Sequence, residues 1–349
     1  MKHPRKKILI LRFSSLGDLI LTSPFYRELK QLEPQAEIHL ATSQEFASLF
    51  AHNPHLTQVH GLDRRGDKKT AFAQLGKTLK AESWDLIFDL HQSLRSRWLL
   101  TCLKGPFYRF LPGVYCIDKR SLKRNLLLAF KLNLLKRFPS QREAYLTLLQ
   151  KAYPHHTLHT HTELFPGPQD PDQVSSILAQ AGANEKPLVA LGAGASFALK
   201  RWPRENFLQL GLQLLAEGFQ PLLLGGPGEE EAAWIAEATQ GRIPNLAGKF
   251  TFLQTAACLA RCRLAISNDS ALVHFAEAMG TPALALFGPT VKEFGFGPHL
   301  ATSQLLETTQ SCRPCSRNGK GACKNREQLI CLRELGVERV LLAALARLK

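Results

Sequence analysis

The chain has 349 residues, room for about two domains of roughly 150 residues each. Its 45% hydrophobic and 21% charged residues are those of a folded globular protein, and exclude disorder, collagen or coiled coil as the main state. The formal charge is +15, and it is unevenly spread: residues 1–166 carry 26 basic and 13 acidic side chains, residues 167–349 carry 18 and 16. The excess in the first half points to an anionic partner there, whether membrane surface, phosphorylated substrate or nucleic acid. No apolar run approaches the ~20 residues needed to span a bilayer. The amino-terminal stretch has basic residues before Ile8-Leu9-Ile10-Leu11, but Arg12 interrupts it and no small-residue cleavage site follows, so it reads as a first β-strand.

In chain order, short aliphatic runs alternate with segments of helical period, the pattern of parallel sheets covered by helices. Strands are predicted at 8–12, 37–41 and 85–90, with helices at 19–32 and 70–82. Residues 153–172, with four prolines, four histidines and little periodicity, read as a linker. The pattern restarts with strands at 188–191, 221–224, 264–267 and 283–287 and helices at 204–217, 229–239, 251–261 and 270–279. The expectation is therefore α/β: two doubly wound Rossmann-like domains, 1–166 and 167–335, facing a central cleft at the carboxyl ends of their strands. A last helix, 337–348, is expected to pack back on the first domain.

The candidate sites fall at strand ends. Strand 8–12 runs into Ser14-Ser15-Leu16-Gly17-Asp18, a turn that puts small side chains and free N–H groups at a helix start. Asp18 there either caps the helix or serves chemistry, and the glycine spacing does not fit G-x-G-x-x-G. Gly192-Ala193-Gly194-Ala195-Ser196 is a phosphate-loop candidate, with Lys200-Arg201-Trp202-Pro203 close behind to meet an anionic leaving group. Gly225-Gly226-Pro227-Gly228-Glu229 either offers Glu229 or Glu230 to a ribose or is only a turn with acids at a helix start. Asn268-Asp269-Ser270-Ala271 opens a helix that carries His274 one turn in, and overfills the needs of one cap. A histidine among apolar positions is otherwise a packed core residue.

Taken together, these residues resemble glycosyltransferase family 9, the ADP-heptose:lipopolysaccharide heptosyltransferases. The likeness spans nearly the whole chain. It rests on Ser14–Asp18 with Pro24, Lys200–Pro203, Asn245-Leu246-Ala247-Gly248-Lys249, Asn268-Asp269-Ser270 with His274, Gly280-Thr281-Pro282, Phe287-Gly288-Pro289-Thr290 and Cys312-x-x-Cys315. The resemblance implies a GT-B fold and inverting transfer of heptose from ADP-heptose to a hydroxyl of the lipopolysaccharide inner core (Kdo-lipid A or heptosylated core). It implies Asp18 as general base, with Ser196, Lys200, Asp269, Ser270, Ala271 and His274 on the diphosphate and Phe250 near the adenine. Glu229 is the ribose candidate. Ser14, Ser15 and Gly17, with the basic residues Arg64, Arg95, Arg97 and Arg120, are the expected acceptor contacts. No cofactor is required for that chemistry, because a helix N-terminus and a lysine meet the leaving group. The sequence departs from the family at Ala271, usually Gly, at Val291-Lys292, usually Asp-Pro, and at Pro227, where some members present an acid.

Residues 119–138 hold seven basic residues, no acid, and leucines at helical spacing. They read either as an amphipathic helix on an anionic inner membrane, the enzyme then being peripheral at its cytoplasmic face, or as a packed helix with a solvated basic face. Cys312, Cys315, Cys323 and Cys331 have the density of a structural zinc or iron site, similar to an iron finger of related protein heptosyltransferases, or are free thiols. Other readings are a family member using another nucleotide sugar or a protein acceptor, and a non-catalytic nucleotide-sugar- or nucleic-acid-binding protein. The basic half shows no nucleic-acid module, so no nucleic-acid partner is expected.

Overall fold

The computed structural model describes residues 5–63, 65–135, 140–183 and 185–349. They form two compact units: the residues up to Arg120 with Gln141–Phe165, and Ser121–Ser140 with Pro166–Lys349. The segment 121–135, expected in the first domain, therefore belongs to the second. Its helix Ser121–Phe130 buries Leu127 against Phe294, and Arg124 Nη2 donates to the Phe294 carbonyl at 2.9 Å.

The first unit contains β1 (Lys7–Leu11), β2 (Glu37–Ser43), β3 (Gln58–Leu62), β4 (Leu86–Asp89) and β5 (Val114–Cys116), all parallel, in the order β3-β2-β1-β4-β5. β1 is central and wholly apolar from Ile8 to Leu11, as a strand covered on both faces must be. The chain turns from one side of β1 to the other between β3 and β4. The crevice outside the carboxyl ends of β1 and β4 is thus this sheet's switch point. The expected helix 19–32 is two helices, Leu16–Ile20 and Ser23–Leu32, because Pro24 has no N–H to donate back into the first turn.

The second unit contains β6 (Leu188–Gly192), β7 (Gln220–Leu223), β8 (Cys262–Asn268), β9 (Ala283–Phe287) and β10 (Gln304–Glu307), again parallel, in the order β10-β9-β8-β6-β7. Its switch point lies between β6 and β8. The helix Val337–Leu348 packs on this unit, not on the first: Val340 and Ala344 are fully buried in the same core as Trp202, Phe207 and Leu210. The apolar stripe of that helix finds its partner in the helix Arg204–Ala216. Trp202 is fully buried and donates its indole N–H to the Leu335 carbonyl at 2.7 Å, which ties this end of the chain down.

Candidate active site

In the first unit the site is built at the β1/β4 switch point. Arg12 leaves the end of β1 nearly buried, and its guanidinium makes two anchoring contacts. Nη1 donates to the Leu90 carbonyl at 2.6 Å and Nη2 meets Asp18 Oδ1 at 2.7 Å. Asp18 sits in the first turn of the helix Leu16–Ile20, its side chain 16% exposed. Its Oδ2 accepts the Ser15 hydroxyl at 2.6 Å and the Ser15 N–H at 3.4 Å, and its Oδ1 also accepts the Tyr145 hydroxyl at 3.1 Å. Oδ2 thus makes the cap contacts, while Oδ1 is turned to Arg12 and Tyr145. Burial alone would raise the carboxyl's pKa. The Arg12 charge, the Ser15 bonds and the Tyr145 hydroxyl outweigh it, and the group lies below its ordinary value. Asp18 is an ionised, rigidly aimed carboxylate.

The loop around it is held from beneath. Phe13 N–H donates to His91 Nδ1 at 3.2 Å, and burial with the Arg12 charge holds the His91 pKa down to about 3, so the ring stays a neutral acceptor. Asp89, fully buried at the end of β4, accepts from the His91 and Gln92 N–H groups at 2.9 and 2.8 Å. Arg95 lies over the Phe13 ring at 5.8 Å, while Arg97 is exposed on the same helix, Leu94–Lys104. Arg120 is flanked by the carboxylates of Asp118 and Glu143. Arg64 lies outside the described residues.

The second unit assembles the other constellation at the β6/β8 switch point. Asn268, fully buried at the end of β8, donates from Nδ2 to the Ala193 carbonyl at 2.7 Å and accepts the Trp202 N–H on Oδ1 at 2.9 Å. One side chain thus pins the Gly192–Ser196 loop against the Lys200–Trp202 segment. Lys200 Nζ reaches Asp269 Oδ2 at 2.7 Å, and Thr290 donates its hydroxyl to the same oxygen at 2.6 Å. Ser270 caps the helix Ala271–Ala278, accepting the Leu272 N–H at 3.3 Å, and His274 is buried one turn in. The cap leaves the N-terminal amide dipoles beside an ammonium, the arrangement that receives an anion.

Ser196, Glu229 and Arg201 share one concavity of about 480 Å³ with the Gly226–Gly228 turn. Glu229 Oε1 accepts the Gly226 N–H at 3.0 Å, whereas Oε2 has no hydrogen-bond partner among the described residues. Burial raises the Glu229 pKa. Gly194 and Gly225 are required by this carboxylate, since an added Cβ would stand 2.1 and 2.2 Å from Glu229 Oε2. Phe250 is half-buried just beyond the Asn245–Lys249 turn, which the Gly248 N–H ties to the Gly225 carbonyl at 3.0 Å. Gly248 has φ +73°, and a Cβ there would lie 2.7 Å from Pro227 Cα, so the two turns stack only with glycine at that position.

The cysteine segment follows the second of its two readings, free thiols. Among the described residues no three His, Cys, Asp or Glu side chains are grouped to hold a metal ion, and Cys312, Cys315, Cys323 and Cys331 are free thiols. Cys331 turns into the core on the helix Ile330–Arg333, where burial pushes its thiol up to about 11. Cys323 is occupied by the Leu329 N–H at 3.3 Å. Burial also raises the Cys315 thiol above its ordinary value, and the described residues offer no converging set of ligands of the kind a zinc or iron site needs. Instead Arg313 organises the segment, donating to the Gly288 and Thr290 carbonyls at 2.5 and 2.9 Å and pairing with Glu307.

A residue-by-residue reading passed over Arg12, Tyr145 and His91. Arg12 carried a signal, a lone cation ending an apolar strand. Tyr145 had none, because its helix, Gln141–Ala152, lies far along the chain.

The comparisons with known proteins decide the family. Residues 72–324 match the model of glycosyltransferase family 9 (heptosyltransferase). The chain belongs to this family. Among relatives of the family 9 chain, the lipopolysaccharide heptosyltransferase 2 of Salmonella typhimurium is 28% identical over 307 residues, covering 82% of this chain and 84% of that one. The crystal structure of the glycosyl transferase family 9 from Veillonella parvula superposes with a TM-score of 0.81 at 22% identity, covering 100% and 98% of the two chains. E. coli ADP-heptose lps heptosyltransferase II gives 0.73 at 24%, covering 98% of each. The fold is GT-B, and the protein is a glycosyltransferase of the lipopolysaccharide heptosyltransferase family. Among the described residues no helix is long and apolar enough to cross a membrane.

Proposed function

We propose that this enzyme transfers heptose from ADP-heptose to a hydroxyl of the lipopolysaccharide inner core, with inversion, and that Asp18 is the general base. The observation that carries the reading is the ionised Asp18 carboxylate, fixed by Arg12, Ser15 and Tyr145 at the carboxyl edge of the first sheet. Single-displacement transfer needs one group to take the acceptor proton as the new glycosidic bond forms and the bond to the ADP oxygen breaks. A carboxylate held below its ordinary pKa is ionised, and so ready for this, at neutral pH.

Charge builds up on the departing diphosphate. Lys200, the Ser270-capped helix and Ser196 in the glycine loop meet that charge without reorganising. Asp269 does not oppose it, because its carboxylate is spent on Lys200 and Thr290. Glu229, in the concavity with Ser196, is the ribose contact, and Phe250 lies by the adenine. Ser14, Ser15, Gly17, Arg95 and Arg97 face the anionic acceptor, while Arg120 is partly committed to Asp118 and Glu143. The reaction places the enzyme in the cytoplasm. Contact with the anionic inner membrane draws on Leu122, Phe130, Leu132 and Leu134, large apolar side chains left exposed around the basic segment 119–135.

Isothermal titration with ADP-heptose, ADP, a UDP-sugar and a GDP-sugar tests the donor. Selective binding of ADP and ADP-heptose, followed by heptose transfer to Kdo-lipid A or heptosylated core, is expected. Preference for another nucleotide overturns the donor assignment.

A further inference from the structure

The first unit has an apolar groove that none of the roles above uses. It lies between the helices Lys68–Lys80 and Leu94–Lys104, encloses about 470 Å³ and is floored by Leu62 at the carboxyl end of β3. Phe72 and Trp98 pack on each other, ring centroids 4.8 Å apart, and line it as one aromatic surface, with Ala73 and Leu94 also in the lining. Leu94 is 85% exposed and Trp98 47%, so a large apolar surface is open to whatever enters. The polar side chains lining it are Lys69 and Arg95, both cations. No acidic residue occurs from 90 to 117, and the nearby Asp67 carboxylate is spent capping its helix through the Lys69 N–H at 2.9 Å. An apolar trough with a cationic rim is complementary to an amphiphile with an anionic head.

One side chain links the groove to the turn that carries the candidate base. Arg95 lines it and at the same time lies over Phe13, the residue that leads into the Ser14–Asp18 turn. A negative group resting on Arg95 would therefore lie between the groove and that turn. We propose that this groove holds one hydrocarbon chain of an anionic lipid acceptor, with Lys69 and Arg95 on the acidic groups next to that chain. The proposal rests on the reading of the acceptor as a lipopolysaccharide inner-core lipid, and it makes the enzyme a reader of the acceptor's acyl end as well as of its sugar. Each methylene buried contributes roughly fourfold in affinity, which sets the size of the effect.

Two experiments judge it. In the first, hexyl, octyl and decyl phosphate are titrated below micelle-forming concentration while Trp98 emission is followed, with Trp98→Phe as the control for the signal. Affinity should rise two- to fourfold per methylene, with a blue shift that the control lacks. Neutral octyl glucoside should bind at least tenfold more weakly than octyl phosphate. Affinity independent of chain length, or equal for the neutral head, overturns the proposal. This titration needs no turnover, so it decides the groove even if the enzyme transfers heptose to nothing, a result that would sink the proposed function instead. In the second, kcat/KM is measured on acylated and fully deacylated acceptor for the wild type and for Ala73→Trp, which fills the groove from its exposed lip. The wild-type preference for the acylated acceptor should fall at least fivefold in the variant. A ratio that does not change overturns the proposal, because a general loss of structure lowers both rates together.

Discussion

Replacing Arg12 by Met is the most informative perturbation of the first unit. The pair it breaks is largely withdrawn from water, with side-chain exposures of 9% for Arg12 and 16% for Asp18. Removing one member of such a pair leaves an uncompensated charge and costs about 3–5 kcal/mol. The Leu90 carbonyl also loses the donor it now has at 2.6 Å, a contribution of about 1 kcal/mol. Against a total stability of roughly 5–15 kcal/mol the combined ~4–6 kcal/mol is a large fraction, and at ~3 °C per kcal/mol the unit should melt roughly 12–18 °C lower. Most of the penalty is the stranded carboxylate rather than the lost attraction, so Arg12→Met with Asp18→Asn should be more stable than Arg12→Met alone. Urea unfolding of the wild type, both single variants and the double variant closes the cycle. If the double variant is no more stable than Arg12→Met, the argument that charge compensation governs this site is wrong.

Three further outcomes follow from the same geometry. Because Arg12, Ser15 and Tyr145 outweigh burial and hold the Asp18 pKa below its ordinary value, kcat/KM should stay level through the usual carboxylate range and fall only below it. The matching stability contribution is present above the unfolded-state pKa and is lost as pH drops through the lower folded value, measurable as a falling urea midpoint. Lys200→Ala removes a charge-assisted contact of about 1.5–3 kcal/mol and should weaken ADP roughly 10- to 150-fold by calorimetry, with AMP less affected. An unchanged ADP affinity removes Lys200 from the diphosphate site. Gly194→Ala drives a Cβ to 2.1 Å from Glu229 Oε2, and the displaced carboxylate should cost ADP binding about 1–3 kcal/mol. Full retention of affinity would separate the Gly194–Glu229 cradle from donor binding.

The sequence was most legible where a strand is central and a turn is rich in small residues. β1, β2, β4 and β6 through β9 are covered on both faces, so their apolar runs stand out, and the turns after β1, β6, β7 and β8 carry the candidate residues. Of the edge strands, β7 is legible because all four of its residues are buried, whereas β3, β5 and β10 escaped notice: β5 has three residues, β10 four, and β3 contains a glycine and a half-exposed face. The helix Asp170–Gln180 begins inside the expected linker because Pro171, read as a breaker, sits in its first turn, where a missing N–H costs nothing. Partners distant in sequence were not legible either. Tyr145 reaches Asp18 across 127 positions and Thr290 reaches Asp269 across 21, and neither contact leaves a local pattern. The four cysteines left metal site and free thiols both open, because spacing alone does not show that packing directs Cys331 into the core.

The most direct test of the account is single-turnover transfer from ADP-heptose by the wild type and by Asp18→Asn, with ADP affinity measured on the same samples. Asn keeps the shape but cannot accept the proton, so the rate should drop by about 10²–10⁴ while ADP affinity stays within twofold. Transfer by Asp18→Asn within a few-fold of the wild-type rate would contradict the assignment of the base.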